Sequence, residues 1–264
     1  MTRHTLAWLC VLLLGATASL ARSIRPSDSP WDNFGVGAWV IIHTKTTAPD
    51  QDDEQRVRMS IIRKTDTRPI VGVAWEINGK FENRVRAAKH VPGFRPDQLG
   101  MTLEKTRSDQ LTIDGTRYTC RTERYRSHEP GKKLTRKLKL WHAPKIRVPY
   151  REIIVDHGAN VALGPHVVRA EYTVTLGQRT TTYRLDLTAA EAPIEVGSQT
   201  LRCVLEEGSA DVREGQEYST VRTKRWLSAK VPGHVVMMRG TLDADGFEVQ
   251  KVQRVEAFEA ASPE

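Results

Sequence analysis

The chain has 264 residues, 40 Lys and Arg against 32 Asp and Glu, a formal charge of +8, and 39% hydrophobic with 27% charged residues. That length can bury a full core without disulfide staples, and the apolar share excludes a wholly disordered chain. The basic balance favours anionic partners, although it is equally ordinary for a soluble protein with a well-charged surface.

Residues 1–21 read as an export leader rather than as structure. Arg3 and His4 make a short polar start, 6–14 is an almost unbroken apolar run, and 16–18 or 19–21 supplies small residues for cleavage. The run is too short for a stable bilayer helix. Cys10 leaves with it, and loss of Arg3 brings the mature chain to about +7. No later segment is apolar enough to hold the chain in a membrane. The expectation is an exported protein, periplasmic or extracellular, with no transmembrane anchor once the leader is cleaved.

Residues 22–34 follow as a Pro/Ser/Asp-containing linker. A strand rich in β-branched residues is predicted over 39–47, and 48–55 reads as an acidic tip with Asp50, Asp52, Asp53 and Glu54. Strands are predicted at 57–65 and 70–77, the second closing on the hairpin signal Asn78-Gly79. Residues 81–89 have weak helical character and 91–96 form a turn, so the stretch near 79–108 reads as an insertion lying over one face. Further strands are predicted at 111–113, 117–125, 134–141, 149–156, 166–176, 180–187, 199–205, 218–226, 234–241 and 247–258. Val231-Pro232-Gly233 fits a type II turn. Asp245-Gly246 suits a tight hairpin better than a calcium loop.

Within this run one pattern occurs twice. Ile113, Cys120, Trp141 and Pro149 recur in order as Ile194, Cys203, Trp226 and Pro232, with 29 residues from cysteine to proline in both copies. The reading is a duplicated module, 35–163 and 164–259, with a tail at 260–264. About a dozen strands with short turns, alternating apolar and polar, predict an all-β chain: a strongly curved antiparallel sheet or incomplete barrel, each module supplying half. Two tandem small β-sandwiches are the alternative. Cys120 and Cys203 occupy equivalent positions, so they read either as a bridge tying the modules or as two buried thiols.

Motifs for chemistry are sparse. There is no nucleophile elbow, zinc-protease helix, phosphate loop or paired-cysteine metal spacing, and no cofactor, metal or catalytic residue is assigned. The informative stretch is 117–151, with twelve Lys or Arg against two Glu. Lys137, Lys139 and Trp141 fall on one side of a strand, Arg147 follows, and the second copy repeats the layout with Arg222, Lys224 and Trp226. Cations beside a flat aromatic can form an anion-binding strip. The alternative is that the tryptophans are core and the long cations lie across them.

Gly37-Ala38-Trp39-Val40, Ile113-x-Gly115-x-x-Tyr118-x-Cys120 and Trp226-Leu227-Ser228-x-x-Val231-Pro232-Gly233-x-Val235-Val236 resemble a group of uncharacterised exported β-proteins of planctomycete-type bacteria. These are similar in turn to lipoprotein carriers of the LolA and LppX kind. The resemblance implies a half-barrel with an apolar concave face and a role in handling acyl chains. The functional expectation is therefore an exported, non-enzymatic envelope protein that binds an apolar or amphipathic ligand such as a lipid. One alternative is an interaction module that binds acidic envelope polymer through a basic face; another is a hydrolase with an unrecognised site. Nucleic acid is not an expected partner.

Overall fold

The structure is a computed structural model, and it describes residues 30–65, 68–89, 93–155, 160–244 and 247–262. The leader, most of the linker and Asp245-Gly246 lie outside the described residues. Among those described, strands dominate and helix is confined to single 3-10 turns at Asp97–Leu99 and Pro130–Lys132.

The first strands in chain order are β1 (Trp39–Ala48), β2 (Gln51–Thr65), β3 (Arg68–Ile77), β4 (Lys80–Lys89), β5 (Thr102–Ile113), β6 (Thr116–Glu129) and β7 (Leu134–His142). After a short pair, β8 (Arg151–Ile153) and β9 (Val161–Leu163), come β10 (Val167–Leu176), β11 (Arg179–Val196), β12 (Gln199–Glu214), β13 (Glu217–Leu227), β14 (Val235–Ala244) and β15 (Phe247–Glu259). Thirteen of them form one antiparallel sheet in the order β4-β3-β2-β1-β15-β14-β13-β12-β11-β10-β7-β6-β5, and β8 pairs with β9 apart from it. The all-β expectation holds. The strands make a single continuous sheet rather than two sandwiches, and it is not closed into a barrel, with β4 and β5 as its edges.

Three local expectations are corrected. Residues 81–89 are strand, not helix: Asn78 and Gly79 both take positive φ (50° and 76°), and this hairpin turn sends the chain straight back along β3 as β4. The acidic stretch lies at the end of the β1–β2 hairpin but is mostly strand rather than loop, because Gln51 to Gln55 already pair with β1, with Lys45 facing Asp52 and His43 beside Glu54. The supposed insertion holds β4 and the twelve-residue β5, which lie at opposite edges of the sheet rather than over one face. The turn at 231–234 is as expected, with Gly233 at φ 81° and the His234 amide donating to the Val231 carbonyl at 2.8 Å.

Among the described residues, apolar side chains gather in three clusters. One joins Trp31, Phe34, Val40 and Ile61 to Leu201, Cys203, Val231 and Val255, so the end of the stretch read as linker is core. This cluster seats the tip of the β11–β12 hairpin against β1, β2 and β15, and Arg254 of β15 donates to the Glu195 carbonyl of β11 at 3.0 Å. A second cluster packs the β8–β9 pair, with Met101, against Leu138, Leu140, Ala170, Tyr172 and Tyr183 of the sheet. The third lies on the other side of β7 and β10 and contains Ile113, Cys120, Trp141, Val168 and Leu187.

The bridge considered between Cys120 and Cys203 is absent: both thiols are free and buried. They belong to strands separated by β7, β10 and β11 and pack in different clusters. A disulfide needs adjacent backbones with converging Cβ atoms. Each Sγ instead donates to the carbonyl two residues earlier, Tyr118 and Leu201, at the same 3.8 Å.

Candidate binding site

Alternation along β11 to β15 sends one set of side chains to an inner face, where Tyr183, Leu185, Val221, Met238, Leu242 and Val249 wall a cavity of about 330 Å³. Val40 and Ile42 of β1 and Met59 of β2 extend the wall. The volume is at the lower end of the range for small-molecule sites. Its floor follows from one row of the sheet, in which Leu185, Gly208, Thr223, Gly240 and Lys251 stand side by side on successive strands. Two glycines in strand interiors remove the side chains that would otherwise fill the space. At Gly208 a Cβ would come 2.6 Å from Thr223 Oγ1 and 2.8 Å from Leu185 Cδ2, so its neighbours already lean over it; at Gly240 the nearest atom is 3.6 Å away.

The cavity is capped by loops. Trp31, Ile154 and the Pro232-Gly233 turn line its upper side, and a Cβ on Gly233 would be 3.3 Å from the Trp31 ring. His234, next in the chain, is 2% exposed, and its ring meets that of Phe34 edge-on with centroids 6.1 Å apart. Neither ring nitrogen makes a well-aligned hydrogen bond among the described residues. Burial pushes the His234 imidazole down to about 4, and the nearby Tyr150 backbone offsets this only in part.

Arg225, at the cavity wall, is part of a buried charge cluster. Glu206 on β12 is fully buried beside Arg225 on β13 and accepts from its Nε at 3.0 Å. The other Glu206 oxygen accepts from Arg151 of β8, which also donates to the Val167 carbonyl. Burial alone would raise the Glu206 carboxyl, but Arg225 and Arg151 outweigh it and hold the group ionised below its ordinary range. The cluster ties the β8–β9 pair to the middle of the sheet. Glu152, on the cavity side, is pushed up by burial.

The outer face carries the basic residues singled out in the sequence. Lys137, Lys139 and Trp141 of β7 and Arg222, Lys224 and Trp226 of β13 share that face, opposite Leu138 and Leu140 on β7 and Val221, Thr223 and Arg225 on β13. Trp141 is buried and Trp226 half-buried. Lys139 Nζ lies 3.8 Å from the Trp141 ring centroid with Arg169 at 5.5 Å, and Lys224 and Arg239 both lie 5.8 Å from that of Trp226. The tryptophans are thus fixed platforms with cations laid across them. Trp141 is held further by its Nε1, which donates to Asp109 at 3.0 Å; that bond, followed by the Gln110 amide, lowers the Asp109 carboxyl.

In register, one row across this face reads Lys105, Arg124, Lys139, Glu171, Arg184, Ser209, Arg222, and the next reads Arg107, Thr122, Trp141, Arg169, Asp186, Glu207, Lys224, Arg239. Arg147 does not belong to this set. It lies beyond β7 and lines a larger cleft, about 1310 Å³, with Glu123, Tyr125 and His142.

In that cleft Tyr125 donates to Glu123 at 2.7 Å, and Arg121 approaches the other oxygen at 2.9 Å. His142 Nε2 is 3.1 Å from Glu123 but off the hydrogen-bond direction. Burial and then the Glu123 bond push the Tyr125 phenol up to about 12, and burial lowers His142. Sequence reading missed Glu206, Gly208, Gly240 and the Glu123 group. Glycines inside strands were a signal in plain view, whereas a glutamate facing inward beside one facing outward, Glu206-Glu207, gives no sign of which is buried.

No protein-family model and no curated protein matches the chain. Among solved structures it is similar to a candidate lipoprotein from Parabacteroides distasonis, at 9% identity and a TM-score of 0.34, over 90% of this chain and 100% of that one. It is also similar to a candidate exported protein with YmcC-like fold from Bacteroides fragilis, at 7% identity and a TM-score of 0.32, over 86% and 98% of the two chains. Neither comes from a planctomycete, and likeness at this level bears on neither family nor function.

Proposed function

We propose that the chain is an exported, non-enzymatic binding protein of the cell envelope whose inner-face cavity takes an apolar or amphipathic ligand. The observation that carries this reading is the cavity of about 330 Å³ over the Gly208 and Gly240 floor. A sheet face packed for stability alone would fill such a volume, because each unfilled methyl-sized space forfeits about 1 kcal/mol. Apolar walls with Arg225, Glu152 and Lys251 among the few charges suit a ligand with an apolar body and a polar head. The leader supports export, and the resemblance to half-barrel lipoprotein carriers implies the same use of a sheet.

The test is native mass spectrometry of the protein purified gently from its own envelope, together with titration by the apolar dye ANS. A retained adduct is expected, as is saturable dye binding that weakens about tenfold in Gly240→Phe while the unfolding midpoint holds. An apo mass with no saturable dye binding would sink the reading.

A second reading, attachment to acidic envelope polymer, draws support from the two cation-rich rows. It expects salt-sensitive retention on an anionic matrix that falls when Lys137, Lys139, Arg222 and Lys224 are reversed, with Arg147 contributing nothing. The hydrolase reading finds less footing. In the larger cleft the carboxylate of Glu123 sits between the Tyr125 hydroxyl and His142, so the hydroxyl proton is held by the carboxylate and not by the imidazole. Cys203, which also lines that cleft, has its thiol pushed up to about 11 by burial. A nucleophile requires the opposite environment.

A further inference from the structure

On the outer face of β5, β6 and β7 a hollow of about 190 Å³ is lined by Lys105, Arg107, Arg124, Lys139, Asp109 and Thr122. Water occupies ~30 Å³, so the space has room for several water molecules. Lys105, Arg124 and Lys139 stand directly opposite one another on successive strands. Like charges so placed repel, and of the three only Lys139 has a packing partner among the described residues, the Trp141 ring. The one carboxylate present, Asp109, is already engaged by Trp141 Nε1 at 3.0 Å and by the Gln110 amide at 2.9 Å. Thr122, 4% exposed, has a buried hydroxyl with no hydrogen-bond partner among the described residues. A buried hydroxyl without a partner is destabilising.

The corresponding place around the second cysteine is built differently. Counting from Cys203 as from Cys120, Leu205 stands for Thr122 and Glu207 for Arg124, and Asp186, opposite Glu207, stands for Lys105. There Lys224 pairs with Glu207 at 3.2 Å and Arg169 pairs with Asp186. What folding alone demands at such a place is therefore met by neutral or paired groups. The first place keeps four cations and an orphan hydroxyl around open space.

We propose that this hollow binds a phosphate- or sulfate-type oxyanion, held by Lys105, Arg107, Arg124 and Lys139 and hydrogen-bonded to the Thr122 hydroxyl. Four converging donors satisfy a tetrahedral oxyanion through charge-assisted bonds, and the hydroxyl gains the acceptor it lacks. The site is on the face opposite the cavity and rests on neither functional reading, so its failure leaves the cavity reading intact.

The experiment titrates the folded full chain with inorganic phosphate and with sulfate by calorimetry, at ionic strength held constant with chloride. Saturable binding of at least one of the two anions is expected, together with a raised thermal midpoint. Thr122→Val, which keeps the shape, should weaken that binding about tenfold while its anion-free midpoint stays level or rises. Arg124→Glu, the charge found at the second place, should abolish it, and Arg213→Glu, an exposed cation on β12 remote from the hollow, should bind as the parent does. Co-sedimentation with phosphatidylcholine vesicles, with and without phosphatidic acid, separates sources. Phosphate-competed binding to the acidic vesicles assigns a headgroup, and anion binding without vesicle binding assigns a free anion. The proposal is overturned if the folded parent binds neither anion saturably, or if Thr122→Val and Arg124→Glu, confirmed folded by circular dichroism, bind as the parent does.

Discussion

Acidification should unfasten this protein through one imidazole. His234 is buried against Phe34 with no well-aligned hydrogen bond to either ring nitrogen among the described residues, and burial pushes it down to about 4 from an unfolded value of 6.5. A base whose folded pKa is depressed is neutral in the native state and takes up its proton on unfolding. Its stabilising contribution is therefore complete above pH 6.5 and drains away as pH falls through about 4. Linkage over that window gives a loss of about 3 kcal/mol in total and about 2 kcal/mol by pH 5. That is a large fraction of the ~5–15 kcal/mol typical of a folded domain. Urea unfolding followed by tryptophan fluorescence at pH 7.5, 6, 5 and 4 reads it directly. His234→Asn is the control, since asparagine tolerates the positive φ of 63° at this position and does not titrate. Below pH 6.5 the parent should lose about 2 kcal/mol more than the variant by pH 5. Parallel pH dependence in the two proteins, or an imidazole seen by NMR to titrate near 6.5, would refute the reasoning.

Other outcomes follow from the same physical chemistry. Glu206→Gln leaves Arg151 and Arg225 buried without a counter-charge and should cost about 3–5 kcal/mol in urea unfolding, and replacing all three by Met, Leu and Met should recover most of it; a loss under about 1 kcal/mol would mean that water reaches the cluster. Gly208→Ala should lower stability by about 1–3 kcal/mol because its Cβ meets Thr223 and Leu185, whereas Gly240→Ala should stay within about 1 kcal/mol; equal effects in thermal melts would contradict the floor geometry. A thiol-reactive dye at pH 8 should label neither Cys120 nor Cys203 in the native protein, since burial raises both thiols, and should label two in urea without reductant. Fast native labelling would contradict their burial.

The sequence made the strands legible because alternation and turn chemistry are local. Asn78-Gly79 and Val231-Pro232-Gly233 announced their own geometry. Strand order was not legible, because nothing local says that β1 pairs with β15 or that β4 and β5, neighbours in the chain, lie at opposite edges. The basic strip around Trp141 and Trp226 was visible from spacing two on one strand, but the hollow needed Lys105 and Arg107 from β5, which only register supplies. The cavity was invisible for a related reason. Its floor is a row of single residues drawn from five strands, and part of its cap comes from a stretch read as linker.

The pairing of β1 with β15 also governs when the molecule can exist. The first strand of the described chain finds one of its two neighbours only in the last, more than 200 residues later, at a contact such as Trp39 with Glu259. Until β15 arrives, β1 and β14 both present open edges, and the largest core cluster lacks Val255. Pairings of such long range fold slowly, since the loop must close before its contacts repay it. This ordering works as a delay. The strands made first have no finished sheet to join, so native assembly waits for the C-terminal strand.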